Sequence, residues 1–175
     1  MTIIRAYSTF QFKAAAPDSS GKRRFTGIAS TPSTDTMGDI VEPRGMTINL
    51  PTPLLWQHRS SEPVGRVKFD KPTEAGIEFS AELPVVVEQG KLRDRVEEAW
   101  QSMKYGLVRA VSIGFRAMKD GIERLDDGTW KFTKFEILEL SLVTIPANAD
   151  ATITSIRSID AELLADVTAH AIRQA

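Results

Sequence analysis

The chain has 175 residues, 22 Lys and Arg against 23 Asp and Glu for a net charge of −1, two histidines and no cysteine. Near-neutral charge leaves no electrostatic footprint for nucleic acid or an anionic membrane, which directs attention to a protein or small-molecule substrate. Without cysteine there is no disulfide, thiol nucleophile or cysteine-rich zinc site, and two histidines do not make a histidine-rich metal centre, so no metal or other cofactor is expected. The length suits one domain, residues 1–175. The N-terminus lacks the basic and apolar regions of a signal peptide, and no window approaches the roughly 20 apolar residues of a membrane span.

In chain order, apolar runs of strand length predict strands at residues 3–12, 24–29, 54–58, 64–69, 76–83, 107–117, 121–124 and 130–144. Residues 15–22 read as a loop, and Asp126, Asp127 and Gly128 as a hairpin turn. Residues 31–52, with three prolines and two glycines, form a long irregular stretch of the kind that is more often functional than incidental. Within it Asp35, Asp39 and Glu42 lack calcium-loop spacing and suggest an Asx-capped turn instead. Leu92, Val96, Trp100 and Met103 form one helical stripe across residues 91–105, which Gly106 ends as a C′ residue. Ile159, Leu163, Val167 and Ala171 repeat that spacing in a C-terminal helix, residues 154–175, capped by Ser158. The expected class is mainly β with helices (α+β).

Any nucleophile must be Ser, Thr, Lys or a carboxylate, and any imidazole base must be His58 or His170. In residues 107–116 strand alternation puts Val111, Ile113 and Phe115 on one face and Ala110, Ser112 and Gly114 on the other. The second face surrounds a hydroxyl with small residues and leaves room for an extended chain; equally, it suits close packing beneath a helix. His58 ends the run Leu54-Leu55-Trp56-Gln57-His58, where the scaffold holds a ring that still reaches a cleft, a position that also suits a structural histidine. His170 lies five residues from the C-terminus. Glu139 shares a strict-alternation face with Phe135, Ile137, Ser141 and Val143. A carboxylate there needs a partner such as a histidine N–H, unless the strand is an edge that turns it to water. Ser112 lacks the first glycine of the GxSxG elbow, which disfavours an α/β-hydrolase.

Five blocks occur in a familiar order. They are Phe25-Thr26-Gly27-Ile28-Ala29-Ser30; Asp35 through Val41; Leu55-Trp56-Gln57-His58 with Pro63-Val64-Gly65; residues 106–115 ending Ser112-Ile113-Gly114-Phe115; and Leu138-Glu139-Leu140-Ser141-Leu142-Val143 with Pro146-Ala147-Asn148. Over about residues 24–153 the chain resembles the HK97-type prohead serine proteases of tailed bacteriophages, related in fold to herpesvirus maturation proteases.

The resemblance implies a herpesvirus-protease-like β-barrel surrounded by a few helices. It implies Ser112 as nucleophile, His58 as general base and Glu139 as the group orienting the histidine. The herpesvirus relatives use a second histidine downstream of the serine, which makes His170 the alternative third member. Ile113, Gly114 and Asn148 are candidates for oxyanion or substrate contacts. The implied activity is cleavage of capsid and scaffold proteins, and of the protease itself, inside the prohead in the host cytoplasm. Its implied partners are the major capsid protein and that protein's scaffold segment, with a homodimer or higher oligomer as its own assembly and no nucleic acid or membrane. The contrasting expectations are a non-catalytic capsid-assembly or binding module on the same barrel, and a small esterase.

Overall fold

In the computed structural model of the chain, residues 23–157 are described. The strand expected at residues 3–12, the loop expected at residues 15–22, the C-terminal helix from its Ser158 cap onward, and His170 lie outside them.

Arg23–Ser30 (β1) starts a mainly antiparallel sheet. The long irregular stretch contains two short strands, Ile40–Val41 (β2) and Met46–Thr47 (β3), around a 3-10 turn at Pro43–Gly45. Thr52–Trp56 (β4) and Arg59–Phe69 (β5) form a hairpin with Gln57 and His58 as its two turn residues. Thus β5 begins five residues before the apolar run that announced it. Ile77–Leu83 (β6) precedes the helix Lys91–Lys104 (α1). Ala110–Ala117 (β7), Ile122–Arg124 (β8), Trp130–Phe132 (β9), Phe135–Val143 (β10) and Ile153–Arg157 (β11) complete the order.

Eight strands form one curled sheet in the order β11-β1-β6-β5-β4-β10-β3, with β7 paired to the other side of β10. The β10 strand runs parallel to β4 and β3 and antiparallel to β7. The sheet's far end curls round to meet the start of β7. Ala110 bridges Thr152, Val111 N–H donates to Ala151 O at 3.1 Å, and Ile153 N–H donates to Arg109 O at 3.1 Å. This curled half-barrel meets the mainly-β expectation. A three-stranded sheet, β2-β9-β8, sits apart from it.

The run expected as one strand at residues 130–144 is in fact two. Thr133 N–H donates to Gly121 O and Met118 N–H to Lys134 O, so the chain leaves the small sheet at Phe132 and joins the large one at Phe135. Alternation alone cannot show which sheet a strand enters. The Asp126–Gly128 turn forms as read, with Asp127 Oδ1 accepting the Thr129 N–H at 2.9 Å. The helix expected from residue 154 does not begin there: Ile153–Arg157 is strand β11, because pairing with β1 satisfies its backbone groups in extended form.

Inside the curl, Phe25, Leu54, Phe79, Val111, Leu140 and Leu142 are fully buried. Helix α1 closes one side through Val96, Ala99, Trp100 and Met103, while the first stripe residue, Leu92, is half exposed. Gly106 has φ 68°, the left-handed C′ conformation expected of it, and its N–H caps the Met103 carbonyl.

Trp100 is the largest buried side chain, with the Arg23 guanidinium 5.5 Å from its ring centroid. Trp100→Ala is expected to destabilise the domain by about 3–5 kcal/mol, because the rigid sheet beneath cannot collapse into the void. Leu92→Ala should cost far less. Urea unfolding of both variants against wild type checks the contrast.

Candidate functional site

A bulge builds the site. Along β10 and β7, Ile137 pairs with Phe115, but the next partners are Glu139 and Gly114. Leu138 is therefore the extra residue, and it is 48% exposed. The bulge reverses the phase of the strand. Before it, Phe135 and Ile137 face the core; after it, Leu140 and Leu142 do, opposite Ile113 and Val111. Glu139 consequently parts from Ile137 and joins the opposite face, where Gly114, Ser112 and Ser141 also lie. This corrects the strict-alternation reading, which put Glu139 and Ile137 together among apolar neighbours.

The Glu139 carboxylate rests over Gly114, where a Cβ would come within 2.3 Å of Oε1. The room that small residues leave on this face is thus filled, at Gly114, by the carboxylate. Glu139 Oε1 lies 2.6 Å from His58 Nδ1. An ionised carboxylate only accepts, so Nδ1 carries the proton of the neutral ring and Nε2 is left as an acceptor. The Glu139 side chain is 14% exposed and that of His58 46%, so the pair is anchored in the sheet and open on the imidazole side.

His58 is held through its backbone as well. Gln57 and His58 have φ of 52° and 59°, both left-handed, as a two-residue type I′ hairpin requires. The usual residues there are Gly, Asn or Asp; Gln and His are costly substitutes. Three hydrogen bonds to β10 and the residue after it fix the turn: Gln57 N–H to Leu142 O (3.0 Å), Gln57 Nε2 to Thr144 Oγ1 (3.2 Å) and His58 N–H to Ser141 Oγ (3.1 Å). Ser141 Oγ in turn donates to Glu139 Oε2 at 2.7 Å.

Ser112 pairs directly with Ser141 across the β7–β10 ladder, and directly opposed residues project from the same face. The geometry separates the two serines. Both are buried, Ser112 at 4% exposure and Ser141 at 0%, but the Ser141 hydroxyl is engaged at both its donor and its acceptor sides. Ser112 Oγ makes no hydrogen bond with the described residues, His58 included, and it is not among the sealed, unsatisfied atoms. Sequence reading chose Ser112 and passed over Ser141. The available signal was a hydroxyl two residues from Glu139 on the same strand.

The other candidates take distinct places. Val111 N–H points away from β10 towards Ala151, so by the pleat Ile113 N–H also points to that side, where among the described residues β7 has no strand partner beyond Ala110. Gly114 N–H points the other way, into the β10 ladder. The Asn148 side chain is buried and fully engaged. Its Nδ2 donates to Thr31 O (3.0 Å) and Ser33 O (3.4 Å), and its Oδ1 accepts from Asp150 N–H. It ties the segment after β10 to the loop after β1. Asp35 Oδ1 accepts the Met37 and Asp39 N–H groups, the Asx-capped turn expected there. Between these loops and β7 lies a cavity of ≈ 30 Å³ lined by Ser112, Ile113, Phe115, Ala29, Val41 and Asn148, among others. Among the described residues no group of three or more His, Asp or Glu side chains is arranged to hold a metal ion, and no helix is long and apolar enough to cross a membrane.

A serine, a carboxylate and the histidine that the carboxylate contacts lie together at one face of the sheet, the residue types from which a serine-hydrolase site is made. The sequence comparisons agree with that class. The family described as caudovirus prohead serine protease matches residues 16–164, and the chain belongs to it. It is 55% identical over 164 residues to the capsid polyprotein of Pseudomonas phage PAJU2, covering 93% of this chain and 24% of the polyprotein. It is 26% identical over 148 residues to the prohead protease of Escherichia phage T5, covering 80% of this chain and 66% of that protein. The chain thus spans about a quarter of the first relative and about two thirds of the second.

The loop beside Ser112 has its own pH dependence. Hydroxyl donors on Ser33 (2.7 Å) and Thr31 (2.9 Å) hold the Asp150 carboxyl below the ordinary carboxylate range, against a smaller opposing effect of burial. A carboxyl depressed by folding stabilises the folded state above its unfolded pKa of about 3.9, and that contribution disappears as pH falls through the folded value. Asp150→Asn is therefore expected to lower stability at pH 7 and to lose its effect progressively below about pH 4. Urea unfolding of the two proteins at pH 7 and pH 3 measures the difference.

Proposed function

We propose that the chain is a serine endopeptidase of prohead maturation in which Ser112 is the nucleophile, His58 the general base and Glu139 the carboxylate that orients the imidazole. The 2.6 Å contact between Glu139 and His58 Nδ1, on the sheet face shared with Ser112, carries this reading. With Nδ1 protonated against Glu139, Nε2 takes the Ser112 proton as Oγ bonds to a peptide carbonyl carbon. The proton then passes to the leaving amine as the C–N bond breaks, and water hydrolyses the ester by the same route in reverse. Among the sequence candidates for the oxyanion, Ile113 N–H is the one whose direction suits the role, since Gly114 N–H faces the ladder and the Asn148 side-chain amide is taken by Thr31 and Ser33. The unpaired side of β7 would also let an extended substrate lie along it as an added strand.

Membership of the prohead protease family supports an action on the major capsid protein and its scaffold segment, inside the prohead in the host cytoplasm. The PAJU2 relative, a capsid polyprotein, supports the same partner and a self-cleavage step. Its linkage also gives substance to the contrasting reading, a capsid-assembly module without activity. The chain acts as one domain, and a homodimer or higher oligomer is part of the proposal.

Ser112→Ala is expected to lower cleavage of co-expressed capsid protein by at least about 10⁴-fold while leaving the fold unchanged. Mass spectrometry of the products, alongside fluorophosphonate labelling of the wild-type serine, reads this out. Unchanged cleavage would overturn the assignment of Ser112, and absence of both labelling and cleavage in wild type would favour the assembly module.

Glu139→Gln should lower acylation roughly 10²- to 10⁴-fold, because the amide can no longer hold the required tautomer. His170→Ala should leave acylation near wild type. The opposite ranking would make His170 the third member.

A further inference from the structure

The hydroxyl of Ser141 joins two parts of the site that are far apart in sequence. As an acceptor it receives the backbone N–H of His58 at 3.1 Å, and as a donor it reaches Glu139 Oε2 at 2.7 Å, while Glu139 Oε1 meets the His58 ring at 2.6 Å. The result is a closed loop of three hydrogen bonds through three side chains and one backbone N–H. Ser141 is fully buried and lies towards the C-terminal end of β10, where it is registered against Leu55 of β4 on one side and Ser112 of β7 on the other, so its position is fixed by two strands.

We infer that Ser141 is a positioning residue of the protease, an inference that rests on the reading of His58 and Glu139 as base and orienting carboxylate. Its two hydrogen bonds perform separate tasks. The bond to Oε2 leaves Oε1 as the oxygen presented to Nδ1, which fixes the carboxylate's rotation. The bond from the His58 N–H satisfies a backbone donor at a left-handed residue and thereby sets where the Cα–Cβ bond points. Displacement of an imidazole by about 1 Å can cost on the order of 10²-fold in rate. Alanine at 141 would leave both the His58 N–H and one carboxylate oxygen without this partner.

The test is a double-mutant cycle in the full chain. It combines Ser141→Ala and Glu139→Gln, with kcat and KM measured on a capsid-derived peptide and the rate of fluorophosphonate acylation measured in parallel. Ser141→Ala is expected to lower kcat and acylation about 10- to 100-fold with KM unchanged. In the Glu139→Gln background it should cost less than about 3-fold, because the group it positions is already disabled. Ser141→Cys keeps the buried volume and weakens the hydrogen bonds, and it should fall with alanine while thermal unfolding remains near wild type. Rates for Ser141→Ala within 2-fold of wild type, or an equal loss with and without Glu139, would overturn the inference. A wild-type chain that neither acylates nor cleaves would overturn the protease reading beneath it.

Discussion

The extra residue at Leu138 is the constraint on which the site depends. A β-strand alternates strictly, and β10 must bury Phe135 and Ile137 at one end and Leu140 and Leu142 at the other. Those pairs have opposite parity, so regular pleating cannot satisfy both. One inserted residue resolves the conflict and also transfers Glu139 from the core side to the side that carries Ser112 and Ser141. The apolar requirement and the carboxylate's position are therefore a single fact of the strand. Deleting the bulge would drive either Glu139 or two large apolar side chains to the wrong face.

The hairpin tip supplies the second component at an evident cost. Left-handed backbone at a residue with a Cβ costs about 1 kcal/mol or more, and the turn uses two such residues in succession. Such a conformation persists only where its surroundings hold it. Here β10 holds it at successive points, Ser141, Leu142 and Thr144. Parallel pairing of β4 with β10 brings those points under the turn, since Trp56, the last residue of β4, is registered against Leu142. Strain at His58 and its proximity to Glu139 thus come from the same pairing.

Local signals were legible where local chemistry decides. The α1 helix with its Val96, Trp100 and Met103 stripe, its Gly106 stop, the Asp126–Gly128 turn and the small-residue face of β7 follow from spacing or from one residue's conformational range, with only Leu92 of the expected stripe left half exposed. What was not legible depends on partners. The bulge is set by the register of β10 against β7, the break at Thr133 by competition between two sheets, and β11 by recruitment onto β1. Ser112, His58 and Glu139 were visible as separate oddities, a hydroxyl among small residues, a ring at a turn and a carboxylate in an apolar strand. The family resemblance implied them together, but the contact between His58 and Glu139, and the part Ser141 takes in it, are legible only in the fold.

The core and the site also share one lattice of pairs, which limits how far they can vary independently. Across the β7–β10 ladder, Leu140–Ile113 and Leu142–Val111 point to one face while Glu139–Gly114 and Ser141–Ser112 point to the other, and the two sets alternate residue by residue. Packing on the first face therefore fixes the register that opposes the hydroxyls on the second. At Gly114 the coupling is closest, because any side chain there would displace the Glu139 carboxylate without touching the core. A change at Gly114 would act on the His58 contact first and on stability second. A change at Leu140 or Val111 would act in the opposite order, loosening the ladder and only then the site built upon it.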